Sequence, residues 1–252
     1  MKPISFIKIS ASLLAMVALV TTTSLQAAAP ASNITQGKAE VKKVVGSASV
    51  KPGQILEAGA KITTGPDSAV EIWLGENGQL LRVDENSDVL IEELTLEKVA
   101  GDPEIKATTK LDLKKGGLVG EVKKLSKASQ YEVKHAQGVA GIRGTAYAIL
   151  PGQGVICASG TVVVNFVING IPSPPITLGA NQVALPPAQP GGAPIIITLP
   201  PEVSRAISRL VKRLNQRDGQ NGPGARDRDV QVVISAFAEG DAPPRREEKQ
   251  YN

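Results

Sequence analysis

Short apolar runs alternate with turn signals over residues 38–184. In the run 69–74, apolar side chains occupy every second position, the period of a strand with one buried face. The Asn-Gly pair within 76–78 readily supplies the positive φ angles of a tight hairpin, and 89–96 alternates with one slip. About ten such runs with no convincing helix between them predict an all-β domain. The polar segment 98–110 is predicted to be a connecting loop, and the alternation does not choose between a β-roll, a jelly-roll-like fold and a sandwich.

The composition changes after Ala184. Residues 185–201 are rich in proline, which predicts an extended linker. Residues 202–217 have a helical period and predict an amphipathic, basic helix as a C-terminal appendage to the domain. We expect a flexible tail over 218–252, with one short element at 230–238 whose pattern fits either a helix or a strand.

The predicted helix has two possible roles. Its apolar stripe consists of Val203, Ile207, Leu210, Val211 and Leu214. The candidate partner-binding residues on its opposite face are Arg205, Arg209, Lys212 and Arg213. Either the stripe packs on the β domain while the basic face is solvated, or the helix makes peripheral contact with an anionic membrane or an acidic partner.

Residues 1–28 predict a cleavable signal peptide. Two lysines, Lys2 and Lys8, precede an apolar core at 9–20, and small residues follow at 27–29. The apolar core is shorter than the roughly 20 residues of a spanning helix, so we expect no transmembrane span after cleavage; a retained signal anchor is the alternative. No cysteine ends the segment, so we predict a periplasmic or secreted protein that is not a lipoprotein.

Charge and composition argue against several classes of ligand. Lysine and arginine total 28 against 24 acidic residues, and aromatic residues make up 3% of the chain. The basic surplus is small, and single-strand and sugar binding both use aromatic stacking, so we predict no nucleic-acid partner. The only cysteine, Cys157, cannot form an intramolecular disulfide and is expected to be a buried thiol.

Candidate chemistry is sparse elsewhere. The only histidine, His135, excludes a two-histidine metal site and is expected at the surface. The acidic segment 84–88 imitates the start of a calcium loop, but Val89 stands where the loop needs glycine, so an acidic turn is predicted. We therefore predict no catalytic residue, metal or cofactor; a hydrolase that uses His135 is a weaker alternative.

The segment 138–145 is the most distinctive motif. Its notable residues are Gly138, Gly141, Arg143, Gly144 and Thr145. Backbone N–H groups beside Arg143 could cradle an anion, but a phosphate loop needs a following helix, and a strand pattern follows here. The favoured interpretation is structural: the glycines permit tight turns and Arg143 pairs with a carboxylate, although Arg143 is also a possible partner-binding residue.

The order of these blocks resembles the FecR domain. The blocks that carry the resemblance are 55–65, 68–83, 86–89, 113–118 and 139–145, within a cover of roughly 40–183. The better-studied FecR members are membrane-anchored regulators that bind a sigma factor on one side and sense a transporter on the other. Only eight residues precede the apolar core here, so anti-sigma activity is not expected.

The resemblance implies a function for the β domain at 38–184. It predicts a non-enzymatic binding module of the bacterial cell envelope, acting by protein–protein recognition in sensing, signal regulation or assembly. The alternative is a structural or surface-attached envelope protein that binds polysaccharide or peptidoglycan.

Overall fold

The computed structural model describes residues 32–150, 152 and 154–215, with side chains in the final helix described up to Lys212. The predicted signal peptide, the tail and the element at 230–238 lie outside these residues.

The described residues form eighteen strands, one 3-10 turn and one helix. In chain order the strands are β1 (Ser32–Gln36), β2 (Ala39–Val45), β3 (Ile55–Leu56), β4 (Lys61–Thr63), β5 (Ala69–Trp73), β6 (Leu80–Val83), β7 (Asp88–Val99), β8 (Ile105–Lys115), β9 (Leu118–Glu121), β10 (Gln130–His135), β11 (Gly138–Arg143), β12 (Ala146–Leu150), β13 (Gly154–Cys157), β14 (Thr161–Ile168), β15 (Ile171–Pro172), β16 (Ile176–Leu178), β17 (Gln182–Leu185) and β18 (Ile195–Thr198). The 3-10 turn is Gly75–Asn77 and the helix α1 is Pro201–Asn215.

The strands make two nine-stranded sheets. Sheet A has the order β1-β7-β8-β10-β11-β14-β15, with β4 beside β7 and β16 beside β14. Sheet B has the order β18-β17-β13-β12-β9-β6-β5-β2-β3. The pairing of β8 with β10 is parallel, and the other pairings of described strands are antiparallel.

The main hydrophobic core lies between the two sheets. Sheet A contributes alternate residues such as Ile91, Leu111 and Phe166, and sheet B contributes others such as Ile72 and Tyr147. Because successive side chains of a strand point to opposite faces, one face of each sheet is buried in this way. The all-β prediction is confirmed, and among the three architectures left open the protein adopts the sandwich.

A second hydrophobic cluster covers the part of the outer face of sheet B that β9, β12, β13 and β17 form. Residues of β12 and β13 that point away from the main core, Ala148 and Ile156 among them, pack with the apolar stripe of α1. The described members of the predicted stripe, Val203, Ile207, Leu210 and Val211, are all buried. The helical prediction is confirmed, and the stripe is used for packing on the domain rather than for a membrane or partner.

The prediction of a connecting loop at 98–110 is wrong, because this segment is part of a long hairpin. Strands β7 and β8 pair over most of their length, and the turn occupies only the residues between Val99 and Ile105. Polar side chains stabilise this hairpin through cross-strand ion pairs: Lys106 Nζ lies 2.9 Å from Glu97 Oε2, and Lys110 Nζ lies 2.7 Å from a carboxylate oxygen of Glu93. The alternation signal missed the strand because three consecutive residues, Ala107, Thr108 and Thr109, are buried and two of them are polar.

The predicted slip within 89–96 is confirmed. The register between β7 and β8 shifts between Ile91 and Glu93, so a β-bulge returns Leu94 to the core side. The segment 185–201, predicted as a proline-rich linker, contains β18, which pairs with β17 over four residue pairs. Prolines flank β18 without interrupting it, which is compatible with an edge strand.

Candidate interaction surfaces

The motif 138–145 forms the corner at which the chain passes between sheets. Strand β11 ends at Arg143 in sheet A, and β12 begins at Ala146 in sheet B. Gly144 has a φ of 60°, in the left-handed region that glycine adopts without a steric penalty. The motif therefore lies where the backbone must turn sharply and change layers.

Thr145 links this crossing to two others. Its hydroxyl accepts a hydrogen bond from the Thr161 N–H at 3.0 Å and lies 2.8 Å from the Thr161 carbonyl oxygen. Thr161 begins β14, directly after the return crossing from β13. The Thr145 N–H and carbonyl also exchange hydrogen bonds with those of Val122, each at 2.9 Å, where the chain leaves β9 for β10. Three sheet-to-sheet connections therefore meet at one buried threonine.

The glycines of the corner serve different needs. A Cβ on Gly138 would overlap the Asn165 carbonyl, and one on Gly160, whose φ is 76°, would overlap the Gly144 carbonyl. A Cβ on Gly141 would meet only the Val163 carbonyl oxygen, at 3.8 Å. Packing therefore requires glycine at 138 and 160 but leaves room for a side chain at 141.

Arg143 is exposed and binds the loop 122–129, which connects β9 to β10. Its Nη2 donates to the Lys127 carbonyl at 2.9 Å, so its partner is a main-chain oxygen rather than the carboxylate that was expected. The same loop presents Lys124 and Lys127, both exposed. We call Lys124, Lys127 and Arg143 the basic corner.

A second basic surface lies on α1. Arg205, Arg209 and Lys212 are exposed along the face of the helix that points away from sheet B. The side chain of Arg213, the fourth predicted residue, lies outside the described part of the helix. The helix cations thus lie outside sheet B. Arg143 follows Ile142, which faces the core, so Arg143 points from the outer face of sheet A. The two basic surfaces therefore lie on opposite sides of the sandwich.

We expected His135 at the surface, but its side chain faces inward. It follows Tyr131 and Val133 at every second position of β10, and its ring packs edge-on against Phe166 with centroids 6.0 Å apart. Loss of hydration lowers the pKa of His135 from 6.5 to about 4. Its Nδ1 accepts the Gln137 N–H at 3.4 Å, and its Nε2 is buried.

This burial makes stability depend on pH. Between pH 6.5 and 4 the unfolded chain binds a proton at His135 that the folded protein does not, so stability falls as the pH falls. We expect His135 to account for about 3 kcal/mol of the loss between pH 7 and pH 4. Urea unfolding of the wild type and of His135→Gln at both pH values measures this. Acidic residues titrate in both proteins, so equal pH dependence in the two would contradict the prediction.

Cys157 is buried as predicted. Its thiol faces the main core, and burial raises its pKa to about 11. A thiol that stays protonated at neutral pH is a poor nucleophile. Cys157 therefore acts as a small core residue.

The side chains of the acidic turn are engaged in separate interactions. Asp84 pairs with Arg82 Nε at 2.7 Å, Asp88 pairs with Lys61 at 2.8 Å, and the Ser87 hydroxyl accepts the Gly117 N–H at 3.0 Å. Within the described ranges, no group of three or more His, Cys, Asp or Glu residues is arranged to hold a metal ion. The absence of a cofactor stays a prediction.

A feature of the sequence that alternation did not reveal is the distribution of charge. From Gly144 to Pro201 the chain contains no Asp, Glu, Lys, Arg or His, although charged residues make up 21% of the whole. This segment forms β12 to β18, which lie towards one edge of both sheets. Of the ten large apolar residues that are exposed in the described part of the chain, this segment carries six: Val163, Val167, Ile171, Ile195, Ile196 and Ile197. We call it the charge-free edge.

The fold defines the class of the protein as a two-sheet β-sandwich with a helix on one outer face. Residues 60–165 match the family model described as FecR protein, and the chain therefore carries a FecR domain. This family consists of regulatory, cell-envelope proteins rather than enzymes.

Two solved structures resemble the fold only distantly. Both are crystal structures of a candidate anti-sigma factor from Parabacteroides distasonis. The first has 10% sequence identity and a TM-score of 0.44, and the match covers 71% of this chain and 92% of that one. The second has 12% identity and a TM-score of 0.32, with 75% and 76% covered. No curated protein matches the chain.

The helix that the structure describes is too short and too polar to cross a membrane.

Proposed function

We propose that this protein is a non-enzymatic binding module of the bacterial cell envelope. It is exported by its N-terminal signal peptide and recognises another envelope protein in sensing, signal regulation or assembly. The observation that carries the proposal is the FecR match over 60–165, in a family of envelope regulators. Cys157, the only thiol of the chain, is buried and stays protonated at neutral pH, which supports a binding role rather than nucleophilic catalysis.

The basic corner is the surface that we assign to recognition. It presents two exposed lysines and Arg143, and the loop that carries them is fastened by the Arg143–Lys127 hydrogen bond. The corner beneath is held by the hydrogen bonds of Thr145, so the cations project from backbone that is fixed in place. A rigid group of cations favours an acidic segment of a partner by electrostatic steering and by charge-assisted hydrogen bonds.

The fit to a protein is better than the fit to polysaccharide. Sugar recognition depends on exposed aromatic rings, and in the described residues Tyr131, Tyr147 and Phe166 are buried while Trp73 is half-buried. The alternative of peptidoglycan binding predicts that the purified protein sediments with isolated cell wall, and our proposal predicts that it stays in solution.

Charge reversal at the basic corner tests the proposal. In the variant Lys124→Glu with Lys127→Glu, the Arg143 hydrogen bond can persist, since its acceptor is a main-chain carbonyl. We expect the amount of partner cross-linked from envelope extracts to fall at least about tenfold. The matched control is Lys51→Glu with Lys115→Glu, which makes the same charge change at exposed lysines elsewhere and should stay within about twofold of wild type. The proposal would be overturned if both variants lost the same amount of cross-linked partner. It would also be overturned if the wild type cross-linked no more protein than an unrelated exported domain does.

A further inference from the structure

The outer side of β18 is an unpaired strand edge. β18 pairs with β17 on one side, and no described strand pairs with the other. The Leu199 N–H donates to the Asn181 carbonyl at 2.8 Å. In an antiparallel pair every second residue bonds to the neighbouring strand, so this bond shows which residues of β18 bond to β17. By that alternation Ile195 and Ile197 bond towards β17, while the N–H and C=O groups of Ile196 and Thr198 point outward.

This edge lacks the usual protection against pairing. Edge strands are normally blunted by charge, by bulges or by polar side chains, as in the polar β1 at the edge of sheet A. Strand β18 instead presents three consecutive isoleucines that are 51%, 45% and 44% exposed. The charge-free edge, to which β18 belongs, supplies no charged side chain that could block pairing. A partner that binds here is therefore selected by backbone hydrogen bonds and apolar contact.

We propose that β18 pairs antiparallel with β18 of a second copy of this chain, about a twofold axis at Ile197. In this register Ile196 lies opposite Thr198 of the other copy, and all four outward backbone groups of each strand are paired. A shift by two residues in either direction would place Pro194 or Pro200, which have no N–H, opposite an outward carbonyl. Each shift would leave one outward carbonyl of each copy without a donor, so the prolines favour the register centred on Ile197 and limit the pairing to one short strand.

Side chains are compatible with this arrangement. Ile197 lies opposite Val183 of β17, which belongs to the cluster under α1, so the two Ile197 side chains meet on the helix side of the joined sheets. Ile196 lies opposite Ala184 and points to the main-core side. The pairing buries less surface than the roughly 1,200 Å² of a stable interface, so we expect a weak dimer with a dissociation constant above about 1 μM. This self-association does not depend on the recognition role of the basic corner.

Cysteine cross-linking tests the axis. In the proposed dimer the two residues at 197 form a pair without hydrogen bonds, with Cα atoms about 4.5 Å apart, close enough for a disulfide. We expect the full chain with Ile197→Cys to form a disulfide-linked dimer with copper–phenanthroline at least about ten times faster than two controls. The controls are Ile196→Cys, whose Cβ atoms would be about 7–8 Å apart, and Ile34→Cys, an exposed position on β1. The native Cys157 is buried in all three. Equal rates in the three proteins would overturn the proposal.

Solution measurements test the pairing without added cysteine. Ile196→Pro removes one outward N–H that β17 does not use, and we expect it to abolish the concentration-dependent dimer in analytical ultracentrifugation, whereas Ile196→Val retains it. In the wild type, hydrogen exchange at Ile196 and Thr198 should slow as protein concentration rises. Exchange that is slow at every concentration would show that another part of the same chain covers β18, and a wild type that stays monomeric at millimolar concentration would show no pairing. Either result overturns the proposal.

Discussion

Replacement of Leu210 by aspartate is expected to lower the free energy of unfolding by about 4 kcal/mol, because it removes a buried apolar side chain and places a charge in its position. Leu210 is 1% exposed and lies in the cluster between α1 and sheet B. A buried carboxylate has no cation in the apolar stripe to compensate it. Urea unfolding followed by circular dichroism measures the change.

A control on the same helix separates packing from helix propensity. Ser208 is exposed on α1, so Ser208→Asp should change stability by no more than about 0.5 kcal/mol. If Leu210→Asp kept the stability of the wild type but lost binding to a membrane or a partner, the packing of α1 on sheet B would be contradicted.

Replacement of Gly160 by alanine is expected to destabilise the protein by about 3 kcal/mol or more. The backbone at 160 has a φ of 76°, which costs an L-residue roughly 1–2 kcal/mol. The added Cβ would also overlap the Gly144 carbonyl, so the two crossings that Thr145 joins would have to separate. Thermal and urea unfolding of the variant measure the loss.

Gly170 provides the matched comparison. Its φ is 78°, almost the same as that of Gly160, but a Cβ there would meet nothing within 4 Å. Gly170→Ala should therefore cost only the conformational part, about 1 kcal/mol. Similar losses at the two positions would mean that the corner has room to adjust and is not tightly packed.

Local pattern was sufficient where one side of an element faces the core and the other faces water. The alternation at 69–74 predicts β5, and the slip within 89–96 predicts the bulge opposite β8. The members of the predicted α1 stripe whose side chains the structure describes are all buried. In each case the burial of a single face imposes a period that can be read along the chain.

Contacts between distant segments were not predictable in this way. The polar residues of β8 form a strand because Glu93 and Glu97 lie opposite them, and that pairing depends on the register of the hairpin. Likewise, β18 is a strand only because β17 supplies its hydrogen bonds. His135 is a different case: counting by two from Tyr131 would have predicted its inward orientation.

At the corner, too, the contacts between distant segments could not be predicted from the sequence. Glycine spacing in 138–145 indicates turns, but the sequence does not reveal that three connections meet at Thr145 or that Arg143 binds a main-chain oxygen of the 122–129 loop. These are contacts between segments that are brought together only when both sheets have formed.

The cluster beneath α1 has a consequence for how the domain can be divided. Strands β12 and β13 are buried on both faces, by the main core and by the helix, although the FecR match ends at residue 165, inside β14. A fragment cut at the limits of the match would leave one apolar face of these strands in water, and we expect it to aggregate. We therefore expect the unit that folds as a stable domain to be larger than the segment by which the family is recognised.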